Sequence, residues 1–310
     1  MSDPSANAAS LAEQIRLACL LEATARKAGN VHPGASFEHL SYDDFVRSAK
    51  ACAPIIARVA EDGIGPTVLE AVRATKDCCE HNTNLGIILL LTPLAAVPPE
   101  TSLSDGIHQV LANLTDDDAA AVYEAIRLAA PRGLGNSDAA DVADGKPDGS
   151  LLDAMKLAAD RDLIAAQYVT GFRLVLWFGM PLLERSPDFT TRWEQAVVRL
   201  QLELMGRSPD TDIQRKCGAM DAEESARRAK AVISARWPHS LEGRSRYREL
   251  DRWLRAKQSQ RNPGTTADLV TACLFAALRE GRIEAPESTA IDEHAEQIVN
   301  HQAPDVGTIR

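Results

Sequence analysis

Aromatic side chains are scarce, with four Trp, four Tyr and six Phe in 310 residues. No stretch alternates apolar and polar residues between hairpin turns, so a β-sheet has little to be built from. The six cysteines, Cys19, Cys52, Cys78, Cys79, Cys217 and Cys273, show no C-x-x-C spacing. That excludes the common zinc and thioredoxin-type motifs and leaves buried free thiols as the reading. No apolar run reaches the roughly 20 residues needed to cross a bilayer. The longest, Leu85 to Val97, is broken by Thr92 and Pro93 and reads as a buried core helix. Positive charge is in deficit, 34 Lys+Arg against 44 Asp+Glu for a net of −10, which argues against nucleic acid or an anionic membrane as partner. Met1 to Ser10 is polar, with Asp3 and no basic residue, so neither a secretory signal nor a transit peptide is expected and the chain is assigned to the cytoplasm. The P-loop, Rossmann, zinc-protease and G-x-S-x-G signatures are absent as well.

What the sequence does have is helical periodicity. Apolar stripes recur at i, i+3 and i+4 through Leu11, Ile15, Ala18, Leu21 and Ala25, through Leu69, Val72 and Cys79, and through Leu269, Val270, Cys273, Leu274 and Leu278. Cap-x-x-acid patterns at Ser10 and Glu13, Ser41 and Asp44, Thr191 and Glu194, and Asp221 and Glu224 predict helix starts. With 45% apolar residues a sizeable core is affordable. The expected fold is all-α: a single compact multi-helix bundle over 1–282, followed by a C-terminal arm over 283–310. Between Arg227 and Arg261 eleven Lys/Arg face three Asp/Glu, a solvated helix face or a docking surface for a phosphate-rich ligand.

In an all-helical chain, polyphosphate is best met at helix ends, where orphan N–H groups and the positive dipole end coincide. Four polar clusters sit at such breaks. Lys27-Ala28-Gly29-Asn30-Val31-His32-Pro33-Gly34 offers a cation, an amide and a titratable ring; it also reads as a glycine C-cap with Lys27 complementing the dipole. His81-Asn82-Thr83-Asn84-Leu85-Gly86 has more polar groups than one cap requires. Asp210-Thr211-Asp212-Ile213-Gln214-Arg215-Lys216-Cys217-Gly218 pairs two carboxylates suited to Mg²⁺ with two cations suited to phosphate, or is an Asp-rich helix start. Asn262-Pro263-Gly264-Thr265-Thr266-Ala267-Asp268 suits either a helix-terminus phosphate and metal site or an N-cap.

Taken in order, the clusters resemble the triphosphoribosyl-dephospho-CoA synthase family. The shared features are Glu22 with Lys27-Ala28-Gly29, then Asn82-Thr83-Asn84-Leu85-Gly86, then Asp210-Thr211 through Arg215 and Gly218, then Pro263-Gly264 through Ala267-Asp268-Leu269. The likeness runs from about Ser10 to Gly281. Asn84-Leu85 replaces the His-Lys of the better-known branch, His32 replaces an Asp, and Phe37-Glu38-His39-Leu40 replaces His-x-Asp-Met. Gly133-Leu134-Gly135-Asn136, Asp141 and Asp160-Arg161-Asp162 through Tyr168 are similar to a divergent archaeal-type branch, some of whose members occur beside methanopterin-type cofactors.

The resemblance implies glycosyl transfer: adenine leaves C1′ of ATP, and the triphosphoribosyl group joins a hydroxyl of a CoA-like or pterin-like acceptor. It implies Mg²⁺ with ATP as substrate, held by Asp210, Asp212 and Asp268. The triphosphate and nucleotide would meet Lys27, Asn30, Asn82, Thr83, Asn84, Arg215, Gly264 and Thr265, and Glu22 or His32 would move the proton. A Mg-dependent phosphotransferase, an ADP-ribosylglycohydrolase-like hydrolase and a non-catalytic nucleotide-binding protein are the alternatives. The apolar helices leave room for a homodimer.

Overall fold

The computed structural model describes residues 4–79, 82–129, 149–300 and 306. His81, most of the glycine-rich stretch from Pro131 to Ser150, including Gly133 to Asn136 and Asp141, and the last residues of the chain lie outside the described residues.

Among the described residues there are sixteen α-helices and no strand. In chain order they are α1 Pro4–Thr24, α2 Tyr42–Ile56, α3 Val59–Asp62, α4 Ile64–Cys78, α5 Leu85–Ala95, α6 Leu103–Ala112, α7 Asp116–Ala129 and α8 Leu151–Ala158. They continue as α9 Leu163–Val169, α10 Met180–Glu184, α11 Phe189–Arg207, α12 Thr211–Cys217, α13 Ala219–Ser234, α14 Leu241–Arg255, α15 Gly264–Arg279 and α16 Ser288–Val299. No helix among the described residues is long and apolar enough to cross a membrane.

Two helices form the centre. In α5 nearly every residue from Leu85 to Ala95 is buried, so it is apolar all round and has no solvent face. In α15 the run from Leu269 to Ala277 is buried, and α1, α5 and α11 pack against it. Small side chains such as Ala272, Ala276 and Ala277 let these helices approach closely. Each Leu or Ile removed from water here stabilises the fold by about 1.5–3 kcal/mol, which makes the α5 and α15 pair a rigid base for whatever their N-termini carry.

The predicted start at Ser41 is present: Asp44 Oδ2 accepts from Ser41 N at 2.8 Å and from its hydroxyl at 2.7 Å. The other three signals are displaced. Ser10 lies inside α1, Thr191 inside α11 and Asp221 inside α13. The acids that would have completed those caps are engaged elsewhere. Glu13 is held by Arg16, Glu194 by Arg26 and His294, and Glu224 by Arg227 and Arg228. Beyond residue 282, the segment expected as an arm contains α16, which buries Ile291 against the helical body next to α1. Arg16 Nη2 also donates to Ser288 Oγ at 2.8 Å.

Candidate active site

The C-terminal end of α1 and the N-terminal ends of α5, α9, α12 and α15 surround one cavity of 1440 Å³. A volume of this size exceeds what a single drug-sized ligand needs, about 300–1,000 Å³. Its polar lining includes Glu22, Asn30, Asn82 to Gly86, Arg161, Asp162, Asp212, Arg215, Lys216, Asn262, Gly264, Thr265 and Asp268. A second part of the lining is apolar, contributed by Val72, Val122, Ile126, Leu151 and Met155 from α4, α7 and α8.

Each polar group is aimed by local structure. Asn82 Oδ1 accepts from the backbone N–H groups of Asn84 and Leu85 at 3.3 and 3.0 Å, which starts α5 and turns Asn84 inward. There the Asn84 amide donates to Cys52 Sγ at 3.4 Å, while Thr83 bonds to the Ser48 hydroxyl. Asn30 is buried, its amide donating to Asn262 Oδ1 at 2.7 Å and its oxygen accepting from Gln201 at 2.8 Å. Asp162 caps α9, accepting from Ile164 N and Ala165 N.

Two glycines owe their identity to the carboxylates beside them. A Cβ on Gly86 would lie 2.0 Å from Asp268 Oδ2, and one on Gly264 would lie 2.8 Å from Asp212 Oδ2. The glycine of Asn-Thr-x-x-Gly therefore makes room for the aspartate of the last motif, a contact between residues 182 positions apart. Burial first, then the negative charges of Asp212, Glu22, Asp210 and Asp162, push the Asp268 carboxyl well above the usual carboxylate range. Asp212 is neutralised on its own helix, where Arg215 and Lys216 both pair with it.

Three expected contacts fall behind the cavity wall. Lys27 is fully buried and does not line the cavity; its ammonium pairs with Glu22 Oε1 at 2.9 Å and donates to the backbone oxygen of Glu22. Asp210, expected to face solvent as a metal ligand, is also buried. Its Oδ1 caps α12 through Asp212 N and Ile213 N, both at 2.9 Å, and its Oδ2 accepts from Thr266 N and Oγ1, both at 2.7 Å. Burial and the neighbouring Asp212 raise its pKa to about 6 against those hydrogen bonds. His32 is also away from the lining, and burial followed by Arg255, Lys27 and Arg26 lowers its pKa to about 3, so the ring is neutral.

The remaining expected residues, Glu22, Asn30, Asn82, Thr83, Asn84, Asp212, Arg215, Gly264, Thr265 and Asp268, do line the one cavity. From sequence, Asn262 belongs to the fourth cluster without an assigned contact, and Arg161 and Asp162 enter only through the branch resemblance. A signal existed in Asp162-Leu163-Ile164, an N-cap residue immediately before a short apolar helix. No Lys or Arg between Arg227 and Arg261 lines the cavity, to which this stretch contributes Gln258 and Ser259. Most of its charges pair along their own helices or with neighbours: Arg227 and Arg228 with Glu224, Arg246 with Glu242, Arg255 with Asp251, and Lys257 and Arg261 with Asp221.

Among the described residues, no group of three or more His, Cys, Asp or Glu side chains is placed to hold a metal by itself. Asp212 and Asp268 remain as cavity carboxylates. Mg²⁺ is commonly held by one or two carboxylates together with substrate phosphates. The excess negative charge around Asp268 therefore fits a magnesium ion that arrives with a nucleotide.

A family model described as ATP:dephospho-CoA triphosphoribosyl transferase matches residues 8–286. A protein of Pseudomonas paraeruginosa named as a 2-(5''-triphosphoribosyl)-3'-dephosphocoenzyme-A synthase is 36% identical over 105 residues, which is 34% of this chain and 35% of that protein. One of the same name from Pseudomonas putida is 32% identical over 105 residues, 34% of this chain and 37% of the relative. The chain thus spans about a third of the length of the curated relatives it matches. A crystal structure from Archaeoglobus fulgidus, described as a triphosphoribosyl-dephospho-CoA synthase, superposes with a TM-score of 0.58 at 29% identity. That likeness covers 76% of this chain and 99% of the other.

Proposed function

This chain belongs to the ATP:dephospho-CoA triphosphoribosyl transferase family, and from that premise we propose that it moves the triphosphoribosyl group of ATP to a hydroxyl of a nucleotide-like acceptor, dephospho-CoA being the first candidate, with release of adenine. The observation that carries the reading is the convergence of four motifs on one cavity that has room for two substrates. An acidic wall, cations and two long helix N-termini meet there, while Lys27 and Asp210 support the wall from behind.

The reaction separates adenine from C1′ while an acceptor oxygen approaches, through an oxocarbenium-like centre. In this reading the cavity carboxylate Asp162 stabilises that positive centre, and Arg215, Lys216 and Arg161 bind the triphosphate. Phosphates compete with Asp212 for Arg215 and Lys216, so binding of the nucleotide releases Asp212 from its two partners. Backbone N–H groups at the N-termini of α5 and α15 add donors for phosphate or ribose. Asn30, Asn84 and Asn262 offer amides that can hold a nucleobase or sugar. Glu22 accepts the proton of the incoming hydroxyl, and one proton is taken up by the departing adenine, so the charges balance. Asp212 and Asp268 would hold Mg²⁺, which when bound neutralises the triphosphate. The apolar wall from α4, α7 and α8 takes the less polar part of the acceptor.

Chromatography of ATP incubated with the protein, Mg²⁺ and dephospho-CoA tests the reading. Free adenine in equal amount to the acceptor consumed is expected. ADP as product would replace it with phosphotransfer, and tight nucleotide binding with no product would make the chain a binding protein.

A further inference from the structure

Lys27 is placed where no phosphate reaches it, and its surroundings account for every proton it carries. It is among the largest fully buried side chains of the molecule. Its ammonium pairs with Glu22 Oε1 at 2.9 Å, donates to the Glu22 backbone oxygen, and lies 3.4 Å from the Ala25 oxygen. An ammonium has three donors. Three acceptors therefore saturate it, and all three belong to the end of α1 or the turn that follows.

The chain path explains this placement. After Thr24, Ala25 N still bonds back to Leu21 O at 3.2 Å, and Lys27 N then bonds to Ala25 O at 2.7 Å. That tight turn folds the Lys27 side chain back over the last turn of α1, whose carbonyl ends attract a cation. The backbone beyond the turn is anchored on the opposite side. Ala28 N donates to Gln201 Oε1 at 3.0 Å, Gly29 N to Asp251 Oδ1 at 2.8 Å, and the Tyr247 hydroxyl to Arg26 O at 2.5 Å. Arg26 itself is clamped by Glu194 at 2.7 Å. Lys27 thus emerges from a loop fixed by α11 and α14, and the group it grips is the one α1 carboxylate on the cavity lining.

We propose that Lys27 is a positioning residue of the transfer reaction: it touches no substrate, and through its ion pair it orients the Glu22 carboxylate that receives the proton of the acceptor hydroxyl. This inference rests on the transferase reading above. With one oxygen held by Lys27, the carboxylate keeps the other for the hydroxyl. As the acceptor oxygen bonds to C1′ and the bond from C1′ to adenine breaks, the hydroxyl proton passes to Glu22 and adenine gains a proton in leaving. Among the described residues Lys27 is the ion-pair partner of Glu22, so its removal leaves a buried carboxylate without compensation.

The test measures adenine release under saturating and limiting ATP and dephospho-CoA for the wild type, Lys27→Met, Glu22→Gln and the double variant. Lys27→Met is expected to lower kcat about 100-fold with both KM values within threefold of wild type, the scale of a lost general base. In the Glu22→Gln background it should change kcat less than threefold, because there is no longer a base to position. Should Lys27→Met alone not fold, Lys27→Arg, which keeps the charge but changes its reach to Glu22, carries the test. A lowered kcat with KM for ATP unchanged supports the proposal, and an unchanged kcat overturns it. A tenfold rise in KM for ATP with kcat retained, in either background, would make Lys27 a phosphate contact and overturn it. An active wild type whose kcat is indifferent to Lys27→Met overturns this inference alone. A wild type that releases no adenine overturns the transferase reading and this inference with it.

Discussion

The front and the back of the cavity wall are built from the same motifs but by different residues. In Asp210-Thr211-Asp212, the first carboxylate faces inward and ties α12 to α15 with four hydrogen bonds. The second faces the cavity and holds two cations. In the first cluster Glu22 is in front and Lys27 behind. In the last, Thr265 and Asp268 line the cavity while Thr266 bonds to Asp210. A residue's place on a helix end, rather than its chemical type, decides whether it meets substrate or supports the group that does. Front substitutions should therefore move rates and substrate affinities, and back substitutions should move stability, together with the rate where the residue holds a front group as Lys27 holds Glu22.

The largest contrast is expected at the front. Glu22→Gln should lower kcat for adenine release by about 10³-fold with an unaltered circular dichroism spectrum, because a positioned base is worth about 10²–10⁴. A Glu22→Gln enzyme with kcat within threefold of wild type would remove Glu22 from the chemistry. Behind the wall, Asp210→Ala strips a cap and leaves buried N–H groups of α12 and α15 unpaired. It should cost about 3 kcal/mol in urea unfolding, from the lost cap and the orphaned donors. An Asp210→Ala protein with unchanged unfolding midpoint and weakened Mg-ATP binding would return Asp210 to the front.

How much of this was legible in the sequence follows from the same contrast. The all-α fold, the apolar α5 and the Ser41 start could be read because periodicity and capping are local. So could the four motifs, since each is a cluster of polar groups at a break in an apolar stripe. Which member of a motif faces the cavity was not legible. Successive helical residues point about 100° apart, so one step along the chain exchanges front for back, and only the packing of α12 against α15 fixes which is which. Lys27 beside a glycine at a helix end reads the same whether its ammonium points to phosphate or folds back onto Glu22. Gly86 carried no hint of Asp268, because the reason for the glycine lies at the other end of the chain.

Smaller effects sharpen the contrast. Arg215→Ala should raise KM for ATP about tenfold while leaving kcat within threefold, as befits one charge-assisted phosphate contact worth about 1.4 kcal/mol. An unchanged KM would remove Arg215 from the triphosphate. For His32 the folded pKa of about 3 lies below its ordinary value of 6.5, so the unfolded chain binds the proton first as pH falls. Its effect is therefore a loss of stability on acidification from about 6.5 toward about 3. His32→Asn should flatten the urea midpoint over that window, and a variant that tracks the wild type throughout would show that the ring is not held neutral. Smallest of all, Arg227→Gln on the basic stretch should change neither melting temperature nor KM for dephospho-CoA, because Arg227 pairs with Glu224 on its own helix. A clear rise in that KM would restore the docking surface that the charge run suggested.

The central claim is tested most directly by following two labels from one ATP, carbon-14 in adenine and phosphorus-32 in the γ-phosphate, with dephospho-CoA present. The account predicts that all carbon-14 leaves as free adenine while phosphorus-32 moves onto the acceptor with the ribose. Phosphorus-32 on the acceptor with carbon-14 retained in ADP would contradict it.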